Sequence, residues 1–220
     1  MYSMLRIEDL RNCLNPKLDK KRKDRFEVAF RSLGTQEDYC RYHYEQFKKE
    51  HALHISAMRG TLKDKEILNP QYYRISFEAN CFAFFRAFHA LLESLPYLLN
   101  IMLEVKIDPE FKYLSWNTIK GFCIKKQIFE SEIELINNLL DSGSYKELSH
   151  LVNVSKHRRI VRIDSGLFSK SKPKLCKDDL DIEFKTYDID TIMQTAFDEL
   201  HEKAIDLVKS FLNGFSGKYS

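Results

Sequence analysis

Residues 79–103 read ANCFAFFRAFHALLESLPYLLNIML, a run so apolar that a helix built from it needs cover on nearly every side. It is long enough to cross a bilayer, but Arg86, His89 and Glu93 fall near its middle. Each central charge costs roughly 2.5–3.5 kcal/mol on insertion scales, which points to a buried helix and no membrane span. This central helix is expected to start from a cap at Ser76, to kink at Pro96 where a backbone hydrogen bond is lost, and to reach about Val105. At 100° per residue, Arg86, His89, Glu93, Asn100 and Glu104 share a sector of about 60°. The stripe is either a narrow wet face or a place for chemistry.

The cover must come from other helices. With 220 residues, 44% apolar and 13% aromatic, the chain can bury a large core, and seven Gly and five Pro leave few turns for a many-stranded fold. The expectation is a mainly α fold: one domain over 1–220, a helical bundle of up-and-down helices with a small β-hairpin inserted before the last helix.

Residues 1–34 read as an N-terminal helical arm carrying the basic run KLDKKRKDR at 17–25, with a turn or two of helix over 27–33 closed by Gly34. Thr35 with Asp38 signals a new helix ending near Gly60. Its His51 and His54 have metal-ligand spacing but no third ligand, so no metal is expected. Asn69-Pro70 and Asp108-Pro109 mark turns. Trp116 to Lys120 reads as a short helix before Gly121, and 124–140 as a further helix. The tight connection 141–144 makes the next helix, 145–158, its antiparallel neighbour.

The period then changes to two. Residues 160–164 and 180–187 are β-like and are expected to pair as the inserted hairpin, 159–187, across a basic loop. Asp188 or Asp190 caps the last helix, whose apolar stripe runs from Ile189 to Leu212 and stops at Gly214.

Five isolated cysteines without a CxxC pair suggest neither a zinc ribbon nor a disulfide framework. The first 14 residues lack an apolar core ahead of a cleavage site, so a cytoplasmic protein is expected. Gly-rich phosphate loop, GxSxG, HExxH and Rossmann patterns are all missing, and no cofactor is called for. The formal net charge of +3 decides little, but from Lys146 to Lys177 nine Lys or Arg face only Glu147 and Asp164. Such an excess suits an anionic partner.

The chemistry-bearing residues crowd into that stretch. Lys146, His150, Asn153 and His157 lie on one helical face, with Leu148, Leu151, Val152 and Ser155 pointing elsewhere. His157 can move a proton, Asn153 can orient it, and Arg158, Lys156 and Arg159 can neutralise phosphate. Arg86 and His89 join this set if their helix packs against 145–158. Arg162, Lys170, Lys172 and Lys174 extend the basic surface into the hairpin loop. A base, an acid and a cation suffice for a 2′-hydroxyl to cleave its own phosphodiester without metal.

The layout over 76–212, with Asn153 and His157 four apart, resembles the HEPN superfamily, small helical domains of prokaryotic toxins and RNA-processing factors. Members that cut RNA carry Arg, a polar residue, three variable residues and His. Asn153 matches the polar residue and His157 the histidine, whereas Val152 stands where the Arg belongs. The resemblance implies an RNA-associated protein, a metal-independent endoribonuclease of a defence or toxin–antitoxin system, acting as a homodimer, with an antitoxin or effector protein as partner. The alternative is a non-catalytic interaction module whose basic loop docks nucleic acid or an acidic protein.

Overall fold

The computed structural model describes residues 7–12, 14, 18–62, 69–105 and 114–216. The fold is mainly helical, with a small two-stranded antiparallel hairpin ahead of the final helix. In order come α1 (Ile7–Asn12), α2 (Lys20–Met58), α3 (Pro70–Leu103), α4 (Trp116–Lys126), α5 (Glu130–Leu140) and α6 (Gly143–His157). The strands β1 (Ile163–Asp164) and β2 (Lys174–Leu175) follow, then α7 (Ile189–Thr195), a π-helical turn at Ala196–His201 and α8 (Glu202–Ser216). Among the described residues no helix is long and apolar enough to cross a membrane.

The chain divides into two compact units, one of residues 1–36, 90–145 and 198–220, the other of 37–89 and 146–197. In the first, the apolar half of α3 supplies Leu92, Leu98, Leu99 and Ile101, and Phe26 of α2, Ile119 of α4, Ile136 of α5 and Phe211 of α8 are equally buried. Glu132 of α5 is buried too, but its carboxylate accepts from the hydroxyls of Ser131 (2.9 Å) and Ser210 (2.5 Å), which offset its desolvation. In the second unit the core is aromatic. Phe84 meets Phe88, Phe197 and Tyr44 at ring centroid distances of 5.7, 5.5 and 6.2 Å. Phe47 and Phe77 lie 6.2 Å apart edge to face, an arrangement that the ring quadrupoles favour.

Several boundaries differ from the sequence expectation, each for a local reason. Gly34 does not close a helix: α2 runs through it, because Leu33 and Cys40 on either side are buried and their burial outweighs the roughly 1 kcal/mol that an interior glycine costs. Thr35, read as a cap, instead donates to the Arg31 carbonyl at 3.1 Å. The α2 start is set by Asp19, whose carboxylate accepts from the Arg22 amide at 2.8 Å. Ser76 caps nothing either. Asn69 accepts from the Gln71 amide at 2.9 Å, and Pro70 takes the first helical position, where its missing donor does no harm. α3 then continues through Pro96 to Leu103. The Asp108-Pro109 turn lies outside the described residues.

The expected helix 124–140 is broken. α4 passes through Gly121 to Lys126, and Gln127 and Phe129 both adopt left-handed backbone, φ 53° and 59°, before α5 begins. Phe129 takes that strain because its ring packs on Phe211, 5.1 Å between centroids. The same ring explains Gly214. A Cβ there would stand 2.6 Å from Phe129 Cε1, so the glycine permits close approach, and α8 runs past it to Ser216.

The hairpin is misplaced by the alternation argument. Ile163 pairs with Leu175 and Asp164 with Lys174, so the return strand comes before 180–187, which is irregular. The other edge of β2 is taken by the chain entering α7: the Leu175 amide donates to the Tyr187 carbonyl (2.9 Å) and the Ile189 amide to the Pro173 carbonyl (3.1 Å). Side-chain anchors hold 180–187 instead of a ladder, including the Lys185 amide donating to Glu147 at 2.6 Å. Asp188 caps α7 as expected, accepting from the Thr191 amide at 2.8 Å, a contact worth about 1 kcal/mol.

Candidate functional site

All residues of the candidate set lie in the unit of 37–89 and 146–197. Helix α6 carries the centre of it. Leu148, Leu151, Val152, Val154 and Ser155 are buried, leaving Lys146, Asn153, Lys156 and His157 exposed on the remaining face. Leu148, Leu151, Val152 and Ser155 lie away from Lys146, Asn153 and His157 as the spacing expects, whereas Val154 is buried in addition and His150 departs from the polar face. Val152, at the place where a nuclease of the resembled family carries Arg, is fully buried. A guanidinium there would be desolvated in the core, so this is a packing position.

His150 behaves differently from its neighbours. It is half-buried, its ring stands edge-on to Phe184 at 6.3 Å, and its Nε2 is buried without a hydrogen-bond partner. It belongs to the aromatic packing more than to the wet face.

Arg86 does reach α6. Its Nη2 donates to the Ser155 carbonyl at 3.0 Å, one of the last-turn carbonyls that have no partner within the helix. A cation at that end also complements the macrodipole. Ser155, however, is two residues from both Asn153 and His157, about 200° around the helix. Arg86 therefore terminates α6 on the side away from the polar face, and His89, half-buried one turn further along α3, is already engaged with its surroundings. The rest of the α3 stripe is not uniformly wet: Asn100 is fully buried, and Glu93 accepts from the Tyr145 hydroxyl at 2.5 Å.

The arginines after α6 are held by acids that follow the hairpin. Arg158 donates to Asp181 at 2.5 Å. Arg159 reaches the Asp179 carbonyl (2.7 Å) and Asp181 (3.1 Å), and Arg162 grips the Asp179 carboxylate with Nε (2.9 Å) and Nη2 (2.9 Å). Lys177 pairs with Glu183 at 3.0 Å, and Lys172 lies 3.8 Å from Asp190. The positive excess read over 146–177 thus depended on where the window closed. Carried to residue 190 it holds ten Lys or Arg against eight Asp or Glu, an excess of two. Lys156, Lys170 and Lys174 stay exposed and enter no ion pair among the described residues.

This arginine clasp carries a pH signature. The hydrogen bonds from Arg162 draw the Asp179 carboxyl down to about 2. Its folded value lies below the ordinary value of about 3.9, so the stabilisation it provides is complete above about pH 4 and is lost as the pH falls towards 2. Thermal unfolding followed from pH 5 to 2.5 should show a steeper loss for wild type than for Asp179→Asn. Parallel curves for the two proteins would mean that the clasp contributes nothing.

The histidines of α2 have structural partners: His51 Nε2 donates to the Ser165 carbonyl at 2.8 Å, and His54 Nδ1 to the Pro70 carbonyl at 3.3 Å. Burial lowers the pKa of His51, keeping its ring neutral. Cys40, Cys81 and Cys123 are buried and outside any disulfide among the described residues, and Cys13 lies outside the described residues. Sequence reasoning did not identify Asp179 and Asp181 as counter-ions, although acids two apart, some 20 residues beyond an arginine cluster, carry that signal.

What the arrangement can do is bind. Exposed cations beside an amide and an imidazole can hold a phosphodiester, whereas among the described residues no side chain is hydrogen-bonded to the His157 ring to fix its tautomer. Comparison with protein-family models, curated proteins and solved structures finds no match.

Proposed function

We propose that the chain is an RNA-associated helical protein of HEPN-like type that holds RNA on the exposed face of α6 without cutting it. The observation that carries this reading is the contrast at the end of α6: Asn153, Lys156 and His157 are exposed, while the arginines that follow are neutralised by Asp179 and Asp181. Phosphate contacts from such cations bind through counterion release and depend steeply on salt. Cleavage needs in addition a cation at the reacting phosphate, and Val152 removes it from the usual turn. The reading takes the protein as a homodimer working beside an antitoxin or effector protein.

The test is fluorescence anisotropy of a mixed 20-nucleotide RNA pool, in EDTA, at two salt concentrations. Wild type is expected to bind and to weaken as salt rises, the double variant Lys156→Glu, His157→Glu to bind at least tenfold less well, and the RNA to remain intact. Loss of RNA integrity that disappears in His157→Ala would replace binding with metal-independent cleavage. No retention at either salt would end the RNA reading and favour an acidic protein partner.

A further inference from the structure

Phe168 is 95% exposed, far beyond the other large apolar side chains among the described residues, of which Val28 at 69% comes next. It stands in the turn between β1 and β2, in the sequence Leu167-Phe168-Ser169-Lys170-Ser171-Lys172-Pro173-Lys174. An aromatic ring wholly in water gains nothing for the fold.

The turn that presents it is built, not slack. At its base the buried pair Ile163 and Leu175 closes the hairpin. The Gly166 amide donates to the Asp164 carboxylate at 2.9 Å, and Gly166 takes φ +72° beneath the Ser171 carbonyl. The hydroxyls of Ser169 and Ser171 are 2.7 Å apart, and Lys170 adopts left-handed backbone with φ 52°. These contacts and backbone angles give the turn on either side of Phe168 a defined form.

We infer that this tip is a stacking platform for an unpaired RNA base, with the Phe168 ring on the base and Lys170 and Lys174 against the neighbouring phosphates. The inference rests on the RNA reading above and specifies the strand as single. Lys170 and Lys174 are exposed and outside the ion pairs that neutralise Lys172 and Lys177. An aromatic face between cations is the arrangement by which proteins hold single strands irrespective of sequence, because every base has a π-face. A duplex keeps those faces stacked inside and offers this ring no site. A lipid surface is a poorer fit, since one ring among serines and lysines brings little apolar area to the interface.

The experiment compares wild type, Phe168→Ala and Phe168→Trp on a 12-nucleotide single strand and on a duplex of the same length. Alanine is expected to weaken single-strand binding about tenfold, within the range of about 5- to 150-fold that a lost stack represents, and to leave duplex binding unchanged. Tryptophan should restore the affinity, and its added indole fluorescence should be quenched by the strand. Single-strand binding by wild type that is indifferent to Phe168→Ala overturns the platform while leaving the RNA reading standing; absence of wild-type binding to either RNA removes the reading beneath it. A blue shift of the added indole on phosphatidylserine vesicles, with no quenching by RNA, would assign the tip to a lipid surface and overturn the inference as well.

Discussion

Truncating Phe84 to Ala is expected to destabilise the protein by about 3–5 kcal/mol, the range found for removing a buried aromatic ring. Phe84 is fully buried, and four other rings surround it: Tyr44, Phe85, Phe88 and Phe197, with centroids between 5.5 and 6.2 Å away. These come from α2, from α3 itself and from the π-helical turn that precedes α8, so the ring joins segments far apart in the chain. A ring-sized hole at such a junction cannot close unless several elements move together, which places the expected cost high in the range. Urea unfolding followed by circular dichroism measures it. A cost under 1 kcal/mol would show that the surrounding rings collapse into the space and that this cluster is not the anchor of its unit.

The second large effect is expected at Gly166. Any side chain there would put Cβ 2.0 Å from the Ser171 carbonyl oxygen, a backbone atom that can retreat only if the turn opens. The positive φ adds about 1–2 kcal/mol of its own for an L-residue. Gly166→Ala should therefore free the β1–β2 tip while the helices persist. Hydrogen exchange would detect this as loss of protection at the amides of Leu175 and Cys176, which now donate to the Tyr187 and Arg162 carbonyls at 2.9 Å each. Unchanged protection would mean that the turn tolerates the substitution and that its geometry is not what displays Phe168.

Much of the helical content was legible because burial follows period. Leu148, Leu151, Val152 and Ser155 of α6 are buried as their spacing requires, and the cap at Asp188 is a local contact between neighbours in sequence. The errors at the glycines share one cause. Gly34, Gly121 and Gly214 all look like punctuation, yet each lies inside a helix, since a glycine's local cost of about 1 kcal/mol is smaller than what packing on either side returns. Residues 180–187 alternate as a strand should, but alternation describes a side-chain pattern, and Glu147, Arg158 and Arg159 provide anchors there without a ladder.

The candidate site divides along the same line. Which residues of α6 face water is a property of the helix alone, so Asn153 and His157 could be placed on one exposed face from their spacing. Which cations stay available is not, because an ion pair between Arg162 and Asp179 depends on a fold-back of the chain that periodicity does not encode. By itself the sequence determined the helices, their buried faces and the polar surface of α6, all consequences of interactions within a few residues. Only the tertiary structure decided that Arg86 caps a helix end, that three arginines are neutralised, and that Phe168 stands in water, because each depends on partners brought together, or kept away, across tens of residues.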